Sequence, residues 1–115
     1  MAEQPLPRGY EGFYAPGLDL IVLDPHLNDV QRRCVLAHEI SHARHRDAGC
    51  RCDRWSERRA DMEASAMLIS PLEFAYAEAV YEGNTIGMAR ELNVLPWAVV
   101  AFRERLRDDP SLIVQ

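Results

Sequence analysis

The sequence predicts an α+β fold in which a small antiparallel sheet or hairpin packs on four to five helices. Three signals support this prediction. Residues that favour β-strands lie on both sides of a Pro-Gly turn, two capping boxes mark helix starts, and Gly and Pro residues mark helix ends in the C-terminal half. The chain has 115 residues, 48% of them hydrophobic and 27% charged, which suits one domain with a modest core. We place this domain at residues 10–110, after an irregular lead-in at 1–9.

The first elements of the domain are predicted to form a β-hairpin. Residues 12–15 read Gly-Phe-Tyr-Ala, and residues 18–23 read Leu-Asp-Leu-Ile-Val-Leu. Between them Pro16-Gly17 is a turn signal, and Asp24-Pro25 ends the second strand. The hairpin therefore precedes every predicted helix.

Helices are predicted for the rest of the domain. Asn28 and Gln31 form a capping box that opens the first helix, which stops before Gly49. Ser70 and Glu73 form another, with proline at the first helical position. The second helix is predicted to run from about Trp55 or Ser56 to Ser70, and the third from Pro71 to Gly83. The fourth is predicted from about Thr85 to Leu92, and the fifth from Pro96 to Arg107. The last two resemble a helix-turn-helix, but their apolar residues favour a hairpin at 85–107 that packs within the domain.

Two histidines, His38 and His42, lie four residues apart in the first helix, and Glu39 lies between them. With about 3.6 residues per turn, this spacing puts both imidazoles on one face, where they can bind the same metal ion. Zinc suits two imidazoles plus one further ligand and an open fourth position, and Glu39 could then act as a base on a metal-bound water. The alternative is a helix surface that only happens to hold two histidines.

A second pair, Glu57 and Asp61, is also four residues apart and shares a face of the second helix. Glu57 is a suitable third oxygen ligand, and Asp61 could accept a hydrogen bond from the free ring N–H of His38. A solvated acidic patch, or salt bridges to Arg58 and Arg59, would also explain this pair.

The segments 33–42, Arg-Cys-Val-Leu-Ala-His-Glu-Ile-Ser-His, and 57–61, Glu-Arg-Arg-Ala-Asp, resemble the two motifs of the ImmA/IrrE zinc metallopeptidases of phages, mobile elements and stress regulators. The resemblance covers about residues 18–107 and includes a gluzincin-like spacing of Glu and Asp. The family usually has Gly or Ala where Ser41 stands, and Pro71 arrives one residue later than usual. The resemblance implies a minimal zincin-like fold that binds one Zn²⁺ per chain, with His38, His42 and Glu57 as zinc ligands, Glu39 as general base and Asp61 as the partner of a ligand.

By this resemblance the protein is a cytoplasmic endopeptidase whose substrate is one regulatory protein, most simply a helix-turn-helix repressor of a phage or mobile element. The alternative is a zinc-binding anti-repressor that sequesters its partner without cleaving it. DNA binding through residues 85–107 is a third hypothesis, which the net charge of -5 disfavours. No membrane segment is expected, because the apolar stretches are short, and the oligomeric state stays open.

A peptidase also needs a strand edge that holds the substrate extended and a donor that stabilises the oxyanion. The hairpin around Leu18 to Leu23 is the candidate for the edge. An ordinary core strand is the alternative, and both can hold, since one edge can pair inward while the other stays open. The sequence does not choose between the possible oxyanion donors, which are Tyr10, Tyr14, Tyr76, Tyr81 and His45.

Cys50 and Cys52, in the loop between the motifs, suggest a rival site. Together with His42 and His45 they could bind a structural zinc ion, although the C-x-C spacing is unlike that of common zinc fingers. A further hypothesis is that a loop thiolate occupies the open zinc position and keeps the enzyme latent.

Overall fold

The computed structural model describes residues 1–47 and 53–112. The described elements, in chain order, are β1 (Ala2–Glu3), β2 (Gly12–Ala15), β3 (Leu20–Leu23), α1 (Asp29–His45), α2 (Arg54–Leu68), α3 (Pro71–Tyr81), α4 (Thr85–Leu92), α5 (Pro96–Asp108) and a 3₁₀ turn (Pro110–Leu112). The predicted α+β class is confirmed. No helix in these two ranges combines the length and apolar character that crossing a bilayer requires.

The sheet has three strands in the order β1-β3-β2. β2 and β3 form the predicted antiparallel hairpin, with Gly12 opposite Leu23. β1 pairs with β3 in parallel, with Ala2 opposite Val22. The sheet is therefore mixed rather than purely antiparallel, and the predicted irregular lead-in contributes a strand. A two-residue strand shows no periodicity that sequence analysis could have recognised.

The second strand of the hairpin begins two residues later than predicted. Asp19 has a positive φ of 49° and extends the turn that follows Ala15. Its side chain accepts a hydrogen bond of 2.8 Å from the buried Tyr14 hydroxyl. Leu18 lies within this turn, where its N–H bonds to the Ala15 carbonyl at 3.2 Å, and its side chain is largely exposed.

Capping residues determine where the two central helices begin. The predicted box is present in α1, because the Asn28 side chain accepts from the Gln31 N–H and the Gln31 side chain accepts from the Asn28 N–H. In α2 the cap is Asp53, which accepts a hydrogen bond of 2.8 Å from the Ser56 N–H. This cap, which sequence analysis missed, starts the helix at Arg54, slightly earlier than predicted.

Helix α1 packs on the hairpin and on α2, α2 packs on α5, and α3 packs on α4. The core around α3, α4 and α5 contains stacked Phe74 and Phe102 rings, with centroids 4.6 Å apart, and fully buried Met88 and Val99. The apolar residues of 85–107 therefore contribute to the core, as the predicted packed hairpin requires.

Replacing Gly12 with alanine is expected to destabilise the fold. A Cβ at this position would lie 2.8 Å from Val35 Cγ1 and 2.9 Å from Leu23 Cδ2, closer than packed carbons tolerate. We expect a loss of about 1–3 kcal/mol, because overpacking forces such side chains off their rotamers. Thermal denaturation measures the effect, and Gly17→Ala is the matched control, since nothing lies within 4 Å of its Cβ. Equal melting temperatures for the two variants would contradict this packing.

Candidate metal centre

His38, His42 and Glu57 bring three donor atoms together where α1 packs against α2. The two histidine Nε2 atoms lie 3.1 Å apart. Glu57 Oε2 lies 2.9 Å from His38 Nε2, and Glu57 Oε1 lies 3.2 Å from His42 Nε2. In a tetrahedral zinc site with ligand bonds of ~2.0–2.1 Å, neighbouring donor atoms are about 3.3 Å apart. The three side chains therefore fit around one metal ion.

The other ring nitrogen of each histidine contacts a carboxylate. Asp61 Oδ1 lies 2.8 Å from His38 Nδ1, in the position that sequence analysis proposed for it. Asp47 Oδ2 lies 2.7 Å from His42 Nδ1. A carboxylate at Nδ1 favours the tautomer that carries its proton there, which turns the Nε2 lone pair of each ring toward the other donor atoms.

Sequence analysis missed Asp47. It follows Arg46, the left-handed residue that ends α1, and its N–H bonds to the His42 carbonyl at 3.0 Å. A carboxylate just beyond the end of the His-containing helix was the only signal, and it has no helical spacing from His42. Burial raises the pKa of Asp47, but hydrogen bonds from Arg59 and His42 outweigh it and hold the pKa below its usual value.

The two arginines beside the acidic pair have other partners. The Arg59 guanidinium hydrogen-bonds to the Asp47 carboxylate, and Arg58 Nε lies 3.0 Å from Glu104 Oε2. Glu57 and Asp61 instead contact His38. The alternative in which Arg58 and Arg59 form salt bridges with this acidic pair is therefore wrong.

Glu39 lies beside the donor atoms in a protected position. Its side chain is only 8% exposed, yet it lines the same cavity as the three donors. Burial raises the pKa of Glu39, opposed by the nearby His38 and His42 charges. A carboxyl group with a raised pKa in a cavity is well suited to accept and return a proton.

The carboxylates also affect His38. Burial lowers the pKa of this histidine, but the hydrogen bond and charge of Asp61, with the charges of Glu39 and Glu57, raise it above its usual value. Negative charge thus concentrates at the donor atoms, an environment that stabilises a cation.

Ser41, which departs from the resembled pattern, is fully buried against α2. Its hydroxyl donates a hydrogen bond of 2.6 Å to Glu63 Oε1, and His45 Nε2 lies 3.0 Å from Glu63 Oε2. Glu63 thereby satisfies a hydroxyl that would otherwise be costly to bury. His45 belongs to this contact and not to the three-donor group.

The donor atoms open into a cavity of about 440 Å³ between α1, α2, α5 and the segment that enters β2. The residues Gly9 to Gly12 form one wall, and Trp97 forms another. The Trp97 ring stands edge-on to the His38 ring, with centroids 5.9 Å apart. Trp97 is one of the apolar residues of 85–107, which sequence analysis assigned to packing within the domain, and no spacing connects it with the motifs 36 or more residues earlier.

The five oxyanion candidates occupy different places. The Tyr14 hydroxyl bonds to Asp19, the Tyr81 hydroxyl to Glu91 and the His45 ring to Glu63, while Tyr76 is exposed on α3. Tyr10 is the one among these candidates that lines the cavity.

Cys50 and Cys52 lie outside the described residues, and so do the two hypotheses that involve them. The structure does show His42 Nε2 directed to His38 and Glu57. A loop site would have to compete with these contacts for the same nitrogen.

Comparison with known proteins gives one match. The model of the family described as IrrE N-terminal-like domain, Peptidase_M78, matches residues 7–100. No curated protein and no solved structure matches the chain. The matched segment contains both motifs and the wall of the cavity formed by Gly9 to Gly12.

Proposed function

Because the chain belongs to the Peptidase_M78 family of IrrE N-terminal-like domains, we propose that it is a zinc-dependent endopeptidase that hydrolyses one regulatory protein. Family membership makes the chain a peptidase domain, and the convergence of three donor atoms beside a buried carboxylate carries the finer proposal. Two imidazoles and one carboxylate are a donor set found in catalytic zinc sites.

His38, His42 and Glu57 would hold the zinc ion, one per chain. A zinc ion in this place would supply Lewis acidity, polarising the scissile carbonyl and lowering the pKa of a water molecule to about 7. Asp61 and Asp47 orient the two imidazoles, and Arg59 holds Asp47 in position.

Glu39 is the general base in this proposal. Its carboxylate takes a proton from the attacking water as the oxygen bonds to the scissile carbon. It then returns a proton to the nitrogen of the departing amine as the C–N bond breaks. The protected position of Glu39 limits exchange of that proton with bulk solvent.

The substrate strand is expected to lie along β2. Within the hairpin that sequence analysis named as the candidate, β3 pairs with β1 and β2 on its two sides and is therefore the core strand. β2 is an edge strand, and the residues that lead into it line the cavity. An extended peptide added to this edge would pass the donor atoms.

Tyr10→Phe is expected to lower kcat by about 10²–10³-fold with little change in KM, because Tyr10 is proposed to donate a hydrogen bond to the developing oxyanion. The measurement is steady-state kinetics on a cleaved substrate, together with the zinc content of the variant. Tyr76→Phe removes a hydroxyl from an exposed ring outside the cavity and is the matched control. If both variants keep full kcat, Tyr10 is not the donor.

The proposed substrate is a helix-turn-helix repressor of a phage or mobile element, cleaved in the cytoplasm, and this part rests on the family resemblance. The test incubates the zinc-loaded protein with repressors encoded near its gene and measures intact masses over time. We expect two fragments from a single cut. A stable complex with an intact repressor would favour sequestration, and neither cleavage nor binding would reject this substrate class.

A further inference from the structure

Helix α3 is apolar on two sides, and the described residues cover one of them. Phe74 and Ala77 are fully buried in the core. Leu72, Tyr76 and Val80 follow one another at four-residue spacing and are 82%, 62% and 51% exposed. We call these three residues the α3 stripe. A helix that is apolar all round is normally covered on both sides, so the α3 stripe indicates a partner.

The carboxylates on and beside α3 have no basic partner among the described residues, and two of them, Glu73 and Glu91, line a groove with Leu72 and Tyr76 of the α3 stripe. Most other acidic side chains that flank α1 and α2 are paired with arginine or histidine, as Asp47 is with Arg59 and Glu104 with Arg58. Within residues 1–47 and 53–112, no ion pair involves the four carboxylates on and beside α3, which are Glu73, Glu78, Glu82 and Glu91. Glu73 and Glu91, which we call the acidic rim of the stripe, can therefore attract a positively charged surface.

A groove between α3 and α4 connects the stripe with the rim. It has a volume of about 270 Å³ and is lined by Leu72, Tyr76 and Leu92, with Glu73 and Glu91 at its sides. The Tyr81 hydroxyl donates a hydrogen bond of 3.0 Å to Glu91 and so fixes that carboxylate. Apolar walls beside two carboxylates suit the aliphatic stem and charged head of an arginine or lysine.

We propose that the α3 stripe and its acidic rim bind a basic amphipathic helix of a partner protein. Apolar residues of that helix would cover Leu72, Tyr76 and Val80, and a basic side chain would enter the groove. A second copy of the chain fits this surface poorly, because pairing the same face would bring Glu73 and Glu91 of one copy against the same two carboxylates of the other. This surface lies outside the peptidase site, and binding to it requires no hydrolysis.

The test measures binding of two matched helical peptides to the full chain carrying Glu39→Gln, which prevents their cleavage. Both peptides carry leucines at four-residue spacing, flanked by arginines in one and by glutamates in the other. We expect the arginine peptide alone to bind, with an affinity that falls as salt rises. Leu72→Ser should weaken binding by roughly tenfold or more, and Glu73→Gln with Glu91→Gln by about fivefold with a shallower salt dependence.

Leu18→Ser and Asp29→Asn are the controls, since they remove an exposed leucine and an exposed carboxylate elsewhere. Thermal denaturation verifies that each variant is folded. The proposal is overturned if the arginine peptide does not bind, if both peptides bind alike, or if Leu18→Ser weakens binding as much as Leu72→Ser. A dimer in sedimentation that Leu72→Ser dissociates would assign the surface to a second copy and also overturn it.

Discussion

Glu39→Gln is expected to abolish peptide-bond hydrolysis and to leave the metal in place. The amide keeps the size of the side chain but cannot take a proton from water, so we expect a loss of at least about 10²–10⁴-fold in kcat. Glu39 is absent from the group of donor atoms that could hold a metal. Zinc content and partner binding should therefore match those of the unmodified chain.

Cleavage kinetics measure kcat, and elemental analysis of the same preparations measures the zinc content. Glu63→Gln is the matched control, because Glu63 is a carboxylate at the same helix interface that contacts Ser41 and His45 rather than the cavity. Retention of more than a tenth of the activity in Glu39→Gln would remove Glu39 from the role of base. Loss of zinc in that variant would mean that Glu39 is itself a ligand.

His42→Ala and Glu57→Ala are each expected to release the metal. Each substitution leaves two of the three protein ligands. Loss of a residue that only hydrogen-bonds to a zinc ligand typically lowers the affinity for zinc by ~10–100-fold, and we expect loss of a ligand itself to lower it further. For Asp61→Asn and Asp47→Asn we expect the smaller loss of zinc affinity, ~10–100-fold, because the amide weakens the hydrogen bond that orients each imidazole.

Competition with a zinc-binding dye gives the affinities, and elemental analysis gives the stoichiometry. His45→Ala is the control on the same helix, since this ring contacts Glu63 and lies outside the donor group. Zinc that survives Glu57→Ala but is lost in Cys50→Ser or Cys52→Ser would place the metal in the loop. The chain would then have a structural zinc ion, and the peptidase proposal would fail.

Local patterns predicted much of the fold and the placement of the first site residues. A capping box such as Asn28 and Gln31 lies within one helical turn, so the sequence displays it directly. The spacing of His38 and His42 likewise fixes their common face whatever the rest of the chain does. Periodicity likewise put Glu57 and Asp61 on one face of α2. The preference of a metal-bound imidazole for a carboxylate partner then assigned Asp61 to His38.

The residues that sequence analysis missed depend on contacts between distant segments. Asp47 reaches His42 only because the chain reverses at Arg46, and Trp97 reaches His38 only because α5 packs beside α2. Tyr10 could be separated from the other oxyanion candidates only when the cavity was known. None of these contacts has a period that a sequence could display.

The short strand β1 has a consequence for how the protein avoids misassembly. β3 is an apolar strand, Leu-Ile-Val-Leu, of the type that templates pairing between chains when its edge is bare. Ala2 and Glu3 of β1 pair with part of that edge. The Glu3 carboxylate also forms an ion pair with Arg32 on α1, which helps to hold β1 in place. We therefore expect these two residues to hinder pairing between chains on this side. Among the described strands, the unpaired edge is that of β2, where we propose that a substrate strand adds.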